Sequence, residues 1–301
     1  MSDAQILIHS EAVMDAGMGQ PEVVRRLPLG ERLWNSGFVR KTLFLVVLGL
    51  IWEGYARWLD NPLLFPTLSE TLQSGWEQVL NGVLPARAWT SLRILVMGYA
   101  AGILLAAALT IVAIGTRVGT DILETMTAMF NPLPAIALLP LALIWFGLGT
   151  GSLVFVLIHS VLWAVALNTH AGFLGVSQTL RMVGRNYELR GLRYVWLILI
   201  PAAFPSILTG LKVGWAFAWR TLIAAELVFG VSSGKGGLGW FIFENRNVLD
   251  IPAVFAGLLT VILIGLAVEN LVFRTIERRT VRRCGGGGCR VRATGLHWAR
   301  R

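Results

Sequence analysis

The stretch that decides the fold is residues 91–114, SLRILVMGYAAGILLAAALTIVAI, which carries a single charged side chain, Arg93. A helix needs about 20 mainly apolar residues to cross a hydrocarbon core of roughly 30 Å. The stretch therefore predicts a membrane-spanning helix. Its part rich in alanine and glycine, residues 98–107, favours close packing against another helix.

Similar apolar blocks recur along the chain and predict an all-α integral membrane protein. Hydrophobic residues make up 55% of the chain and charged residues only 14%, whereas a soluble domain carries about a quarter charged residues. Pro132, Pro134 and Pro140 interrupt the third block, which predicts a kinked helix buried in a bundle. Pro201 and Pro205 predict a bend before the fifth. About six transmembrane helices are predicted, at about residues 41–59, 91–114, 126–147, 152–169, 204–229 and 251–273.

Lysine and arginine are distributed unevenly between the segments that join these helices. Positive charges concentrate in the cytoplasmic loops of membrane proteins. One alternating set of segments is rich in cations and the other is poor, so both termini are predicted to be cytoplasmic. Because these arginines lie between apolar blocks, the net charge of +9 does not indicate a nucleic-acid-binding face. The rich set contains Arg25, Arg26, Arg32, Arg40, Lys41, Arg117, Arg181, Arg185, Arg190, Arg193, Arg274, Arg278, Arg279, Arg282 and Arg283, and the poor set contains Arg87, Lys235 and Arg246.

Two regions flank the predicted transmembrane domain, residues 39–283. Residues 1–38 are polar and mixed, show no cleavable signal peptide, and are predicted to form a cytoplasmic N-terminal segment. Residues 284–301 are rich in glycine and arginine and are predicted to be disordered. Cys284 and Cys289 in this tail lack the four-ligand set of a structural zinc site, so we interpret them as free thiols and expect no metal.

A short helix is predicted between the first two transmembrane helices, at Leu68–Leu80. Its residues Leu72, Trp76 and Leu80 recur at helical spacing, and Thr67 or Ser69 is suited to cap its start. Since this segment belongs to a predicted outer loop, the helix is expected to lie at the outer face of the membrane.

The longest predicted cytoplasmic connection is residues 170–197. From Ser177, a suitable N-cap, it reads SQTLRMVGRNYEL, which places an apolar stripe beside a basic flank. Two interpretations remain open for this pattern: docking into a groove on a soluble partner, or lying flat on the anionic membrane surface. The stripe consists of Val176, Leu180, Val183 and Tyr187, and the flank of Arg181 and Arg185 with Glu188 beyond them.

The same region resembles the cytoplasmic signature of ABC importer permeases, in which a Glu-Ala-Ala block and a glycine precede, after a spacer, Ile-x-Leu-Pro. Pro201 matches the signature proline, and counting back from Ile198 puts Glu188 where the family has glycine. Further segments are similar to the nitrate, sulfonate and taurine branch of this family. The resembling positions are 168–169, 172, 184–187 and 198–212 for the signature, and 65–67, 131–140, 145–149 and 236–240 for the branch.

This resemblance implies a type I ABC importer permease bundle that forms half of a translocation path. It implies a second permease copy, two cytoplasmic ATP-binding subunits and a periplasmic or lipid-anchored solute-binding protein as partners, in the lipid of the cell (inner) membrane. It implies a small anionic solute such as nitrate, taurine or an alkanesulfonate; a thiamine precursor or another small solute stays open. Residues 177–188 would form the coupling helix. The positions assigned to ATPase coupling are Leu180, Arg181, Val183, Gly184, Arg185, Tyr187, Glu188 and Pro201.

The chain itself is not expected to bind or hydrolyse ATP. Its only Gly-Lys pair, Gly234-Lys235, lies one residue too close to Gly230 for a phosphate-binding loop. We therefore expect a non-catalytic subunit without a cofactor. A stand-alone secondary transporter is an alternative, although no inverted repeat is evident. A membrane enzyme would require paired carboxylates or a His/Asp cluster, which the sequence does not contain.

Three ionisable residues, Lys212, Arg220 and Glu226, fall within the fifth predicted helix, where such groups usually face protein or water. Arg220 and Glu226 are six positions apart, about 120° around a helix, so each is expected to find a partner elsewhere. We predict that both line the translocation path, with Arg220 attracting an anionic solute; a structural ion pair is the alternative. His159 is interpreted as a packed, hydrogen-bonded group.

Overall fold

The computed structural model describes residues 37–229 and 236–277. The predictions for residues 1–36, for the Gly234-Lys235 pair and for the tail 284–301 with its two cysteines lie outside the described residues. The chain divides into two units, residues 1–54 and 55–301, and helix α1, Gly37–Leu59, contains the junction. Within the described ranges every regular element is helical.

The described elements follow one another closely along the chain. After α1 come α2 Leu68–Leu80, α3 Val83–Ile114, α4 Arg117–Phe130, α5 Leu139–Phe146, α6 Thr150–Leu174, α7 Gln178–Asn186, α8 Gly191–Tyr194, α9 Ile200–Phe229, α10 Leu238–Asn247 and α11 Ile251–Val268. A 3₁₀ turn, Ala135–Leu138, precedes α5, and wider π turns lie at Val195–Leu199 and Glu269–Phe273.

Helices α3 and α6 pack closely because glycines on α3 admit side chains from α6. A Cβ added to Gly98 would lie 2.5 Å from Leu157 Cβ, and one added to Gly102 would lie 2.7 Å from Val161 Cβ. Small residues bring membrane helices together in this way, as the alanine- and glycine-rich stretch predicts. The contact residues rise from Gly98 to Gly102 on α3 and from Leu157 to Val161 on α6, so the two helices run parallel.

Helix α9 runs antiparallel to α6 along a second close contact. A Cβ on Gly172 would lie 2.6 Å from Ser206 Cβ, and a Cβ on Gly210 would lie 2.8 Å from Asn168 Cβ. The segment after α11 reaches α9 through an ion pair, in which Lys212 Nζ lies 2.6 Å from a carboxylate oxygen of Glu277. Lys212 therefore has an ion-pair partner on another element, as expected for a charge within a membrane helix.

The third predicted helix, 126–147, is a bent pair rather than one kinked helix. Arg117–Phe130 and Ala135–Phe146 meet at 88°. Pro132 and Pro134 lie in the intervening break, where their missing N–H groups and fixed φ prevent the helix from continuing. Because α3 and α6 are parallel, this pair carries the chain back across the bundle between them.

Six candidate membrane spans result when the bent pair counts as one crossing. The fifth span begins at Gly191, upstream of the predicted residue 204. The predicted bend at Pro201 and Pro205 is wrong, because the helix Ile200–Phe229 is continuous and contains Pro205. The wider π turn directly before Pro201 is the local adjustment that accommodates proline in such helices. The other five spans are Val39–Leu59, Val83–Ile114, the bent pair, Thr150–Leu174 and Ile251–Glu277.

The short helix α2 confirms the predicted bounds Leu68–Leu80, and of the two predicted caps, Thr67 and Ser69, the structure has Thr67. Thr67 Oγ1 accepts a hydrogen bond from the backbone N–H of Glu70 at 3.2 Å, and a Glu70 carboxylate oxygen accepts one from the N–H of Thr67 at 3.0 Å. This reciprocal pair is a capping box, which satisfies two N–H groups that a helix start leaves free.

Candidate functional site

Helix α7, Gln178–Asn186, forms within the connection that the sequence singled out. Ser177 caps it, accepting a hydrogen bond from Leu180 N at 3.4 Å. The predicted apolar stripe divides: Val176 is buried at the base, whereas Leu180, Val183 and Tyr187 remain exposed. The exposed part of α7 is therefore amphipathic and is attached at one end to the bundle core.

The Arg181 side chain turns back onto the end of α6. Its guanidinium donates to the carbonyl oxygens of Phe173 at 2.9 Å, Leu174 at 3.2 Å and Val176 at 3.1 Å. Phe173 and Leu174 belong to the last turn of α6, whose carbonyls have no N–H partner within the helix, and a cation is favoured at this negative end of the helix dipole. Arg181 is thus a positioning residue that ties α7 to α6, whereas Arg185 on the same flank is exposed.

The other end of α7 packs against the start of the fifth span. Gly184 is buried, and a Cβ there would lie 2.7 Å from the Tyr194 ring. The chain then reverses through Glu188 and Gly191, whose φ angles are 52° and 57°. Pro201 is exposed within the first turn of α9. Of the predicted coupling residues, Gly184 and Arg181 hold α7 in place, and the remaining six lie at the surface.

An intramembrane cavity of about 350 Å³ opens where the chain breaks between α4 and the 3₁₀ turn. Side chains from the middle of α6 and the later part of α9 complete it. Arg220, a predicted path residue, is the one formally charged side chain of the lining if His159 is neutral. The lining consists of Phe130, Asn131, Pro132, Leu133, Pro134, Ala135, Ile136, His159, Ser160, Trp163, Phe217, Arg220, Thr221 and Ala224.

Arg220 keeps most of its hydrogen-bonding capacity available. Its Nε donates to the carbonyl oxygen of Ala216 at 3.1 Å, one turn back on α9, and its guanidinium carbon lies 5.3 Å from the centre of the Phe217 ring. Within residues 37–229 and 236–277 it forms no ion pair, so the expected partner on another helix is absent from this part of the chain. The cation therefore remains available to a ligand in the cavity.

Glu226 does not line this cavity and instead lies fully buried in a hydrogen-bond network. Its carboxylate accepts from Ser91 Oγ of α3 at 2.8 Å and from the backbone N–H of Gly239 at 2.9 Å. Ser91 Oγ in turn accepts from the N–H of Leu238 at 2.8 Å. Neighbouring groups already satisfy the carboxylate, which fixes the start of α10 onto α3. A place for Glu226 on the translocation path stays a prediction.

The prediction for His159 is confirmed in its packing and wrong in its hydrogen bond. The ring packs between Phe130 and Trp163, each with its ring centre 6.3 Å away, but neither imidazole nitrogen has a hydrogen-bond partner among the described residues. In the same part of the chain the indole N–H of Trp163 has no partner either. His159, Ser160 and Trp163 lie on one face of α6. Their spacing in the sequence predicts this shared face, but it does not predict that the face borders a cavity. Among the described residues no cluster of three His, Cys, Asp or Glu side chains is arranged to hold a metal.

Comparison with known proteins agrees with this architecture. Residues 98–282 match the family described as binding-protein-dependent transport system inner membrane component. The taurine transport system permease protein of Escherichia coli is 29% identical, over 78% of this chain and 85% of that protein. The nitrate import permease protein of a Synechocystis strain is 26% identical, over 80% of this chain and 88% of its own length. A Bacillus subtilis protein that carries the name of an aliphatic sulfonates transport permease is 26% identical, over 92% and 98%.

The family match covers more than half of the chain, and it falls on the spans that form the core and the cavity. Members of this family work with ATP-binding and solute-binding partners, which is consistent with an exposed amphipathic helix outside the bundle. The chain belongs to the binding-protein-dependent transport system inner membrane components, and it is a multi-pass inner-membrane permease subunit of an ABC importer.

Proposed function

We propose that this permease pairs with a second copy of itself and that two separate cytoplasmic ATP-binding subunits drive the pair. The observation that carries the proposed drive by ATP-binding subunits is the exposed apolar surface of α7. Leu180 and Val183 are 41% and 38% exposed, and Tyr187 is 76% exposed. A compact apolar surface with an aromatic residue at its edge, on a short helix outside the spans, suits docking into a groove on a soluble partner.

Movement of α7 is passed to the spans through the contacts at its two ends. Arg181 ties α7 to the last turn of α6, and Gly184 packs against Tyr194 at the start of the fifth span. Helices α6 and α9 both line the cavity, where a hydrogen bond of 3.1 Å between Ser160 Oγ and Thr221 Oγ1 joins them. An ATP-binding subunit that holds α7 and moves on binding ATP therefore shifts both helices as rigid elements, which is how packed interfaces switch between two arrangements.

The orientation proposed from the charges places α7 in the cytoplasm. Six crossings return the end of the last span to the side on which the first begins, and the cation-rich segments fall on that side. Helix α7 follows the C-terminus of α6, an end that also carries Arg190 and Arg193. Both termini are then cytoplasmic, and α2 and α10 face the solute-binding protein.

The solute we propose is a small anion of the class named for the relatives: nitrate, taurine or an alkanesulfonate. Support from this chain comes from Arg220, a cation at an intramembrane cavity. Within the part of the chain that the structure describes, it has no ion-pair partner and no acidic residue lines the cavity. Cations inside a membrane protein usually mark a pathway for a substrate or ion. ATP hydrolysis belongs to the partner subunits in this scheme.

Co-purification tests the proposal. The tagged full-length permease, co-expressed with the ATP-binding subunit encoded beside it, is expected to retain that subunit in detergent. Leu180→Asp is expected to lower the amount retained at least about tenfold, because a carboxylate buried in an apolar interface loses its hydration without gaining a partner. Densitometry of the two bands measures this ratio.

Leu72→Asp is the matched control for that experiment. Leu72 is 58% exposed on α2, at the opposite end of the bundle. Leu72→Asp introduces the same carboxylate in place of the same leucine side chain as Leu180→Asp. The control is expected to retain the wild-type amount of ATP-binding subunit. Equal retention by both variants, or no retention by the wild type, would contradict the proposed docking surface.

A further inference from the structure

The charge of the intramembrane cavity is of the sign that attracts an anion. Arg220 supplies the positive charge, and among the described residues no Asp or Glu side chain lines the cavity to neutralise it. Glu226, the nearest carboxylate along α9, is held away by Ser91 and Gly239. A dipolar solute such as an amino acid therefore finds a site for its anionic group but no carboxylate for its ammonium group.

A second, independent observation is that buried N–H donors of the lining have no partner. Trp163 is only 8% exposed, yet its indole N–H donates to no atom of the described chain. Both nitrogens of the neighbouring His159 are also unpaired. These nitrogens have almost no accessible surface in this structure, so the side chains around them must shift before a ligand reaches them. Because indole N–H groups almost always find an acceptor when buried, a ligand in the cavity is expected to supply that acceptor.

The walls around these donors are apolar and aromatic. The Phe130 and Trp163 rings stack with centres 5.2 Å apart and planes 12° from parallel, and Leu133, Ile136 and Phe217 extend the apolar lining. A volume of about 350 Å³ falls within the range of small-molecule sites, about 300–1,000 Å³. A bare inorganic oxyanion would leave most of this apolar wall without contact.

We infer that the cavity at the α4–α5 break binds a small organic anion, a sulfonate or carboxylate that carries an apolar body. The anionic group accepts hydrogen bonds from Arg220, His159 and the indole N–H of Trp163, and the apolar body lies against the Phe130 and Trp163 rings. The permease then selects its solute within the membrane instead of leaving selection to the binding protein alone. This inference rests on the proposed function, since it places the ligand on the translocation path.

Equilibrium binding to the purified full-length permease in lipid nanodiscs tests the inference, with butanesulfonate and nitrate as probes in titration calorimetry. Wild type is expected to bind butanesulfonate saturably and at least about tenfold more tightly than nitrate, because only the former buries an alkyl chain. Trp163→Phe, which keeps the ring stack but removes the N–H, is expected to weaken butanesulfonate binding about tenfold, as for loss of one hydrogen bond to a charged group.

Trp219→Phe provides the matched control, because Trp219 is a similarly buried tryptophan on α9 that lies outside the cavity lining. Its affinity for butanesulfonate is expected to equal that of the wild type. If Trp163→Phe does not fold, the thermal shift of the wild type decides: butanesulfonate raises the melting temperature and nitrate at the same concentration does not. Any one of three results overturns the inference: no saturable binding of butanesulfonate, equal affinities for butanesulfonate and nitrate, or equal effects of Trp163→Phe and Trp219→Phe.

The failures of the two proposals are distinguishable. A permease that retains its ATP-binding subunit but binds no butanesulfonate refutes the cavity site and leaves the importer mechanism intact. A permease that binds butanesulfonate but retains no ATP-binding subunit refutes the proposed drive through α7 and leaves the cavity site standing.

Discussion

Replacing Arg220 by Gln will lower ATP-driven solute uptake at least about tenfold while the permease still assembles with its partners. Arg220 brings the one formal charge of the cavity lining and makes no ion pair within the described residues. An anion that leaves water for a site of low dielectric loses its hydration, and the guanidinium offsets that loss. A neutral amide offsets far less, and each factor of ten corresponds to about 1.4 kcal/mol. Uptake of labelled solute into proteoliposomes measures the effect.

Two further variants define what the Arg220→Gln result means. Arg220→Lys keeps the positive charge but loses the planar guanidinium group, so its uptake is expected to lie between that of the wild type and that of Arg220→Gln. Arg93→Gln removes another exposed arginine, on α3, that does not line the cavity, and it is expected to behave as the wild type. Normal uptake by Arg220→Gln, or equal loss in Arg93→Gln, would remove Arg220 from the path.

Tyr187→Asp is expected to uncouple ATP hydrolysis from transport. Tyr187 is the most exposed of the apolar residues on the α7 surface and lies at its C-terminal edge. A carboxylate covered by a docked partner is desolvated without a partner charge, a penalty that typically exceeds about 2 kcal/mol. We expect uptake to fall at least about tenfold, while ATP hydrolysis by the partner subunits continues and no longer responds to solute-loaded binding protein.

Tyr187→Phe is the conservative control for this prediction, since it keeps the ring and removes only the hydroxyl group. Its uptake and its solute-stimulated ATPase activity are expected to match the wild type. Unchanged coupling in Tyr187→Asp would instead favour the alternative in which α7 lies flat on the membrane surface.

The order and type of the helices could be predicted from the sequence because they depend on composition and local spacing. Apolar blocks of sufficient length identify membrane spans whatever they pack against, and Thr67 followed by Glu70 at the capping-box spacing identifies the start of α2. The prolines at 132 and 134 likewise predict an interruption of the third span. The angle of 88° at that interruption depends on the parallel arrangement of α3 and α6, which no local pattern contains.

The site was less predictable because the role of a charged side chain depends on which distant atoms it meets. Arg181 and Arg185 are equivalent by spacing, yet only Arg181 reaches the carbonyls that end α6. Arg220 and Glu226 are both ionisable residues in one helix, but Ser91, distant in sequence, sequesters only Glu226. The unpartnered Trp163 resembles an ordinary core tryptophan until the break in the third span places it at a cavity.

Site-specific cross-linking at Tyr187 tests most directly that a separate ATPase moves this permease through α7. In the full-length chain with Cys284 and Cys289 replaced by Ser, Tyr187→Cys is paired with single cysteines lining the groove of the ATP-binding subunit. We predict a cross-linked permease–ATPase product whose yield changes when ATP binds, and labelling of Cys at position 187 only by reagents applied from the cytoplasmic side. A cysteine that labels only from the outer side, or that cross-links to no ATP-binding subunit, would contradict the mechanism.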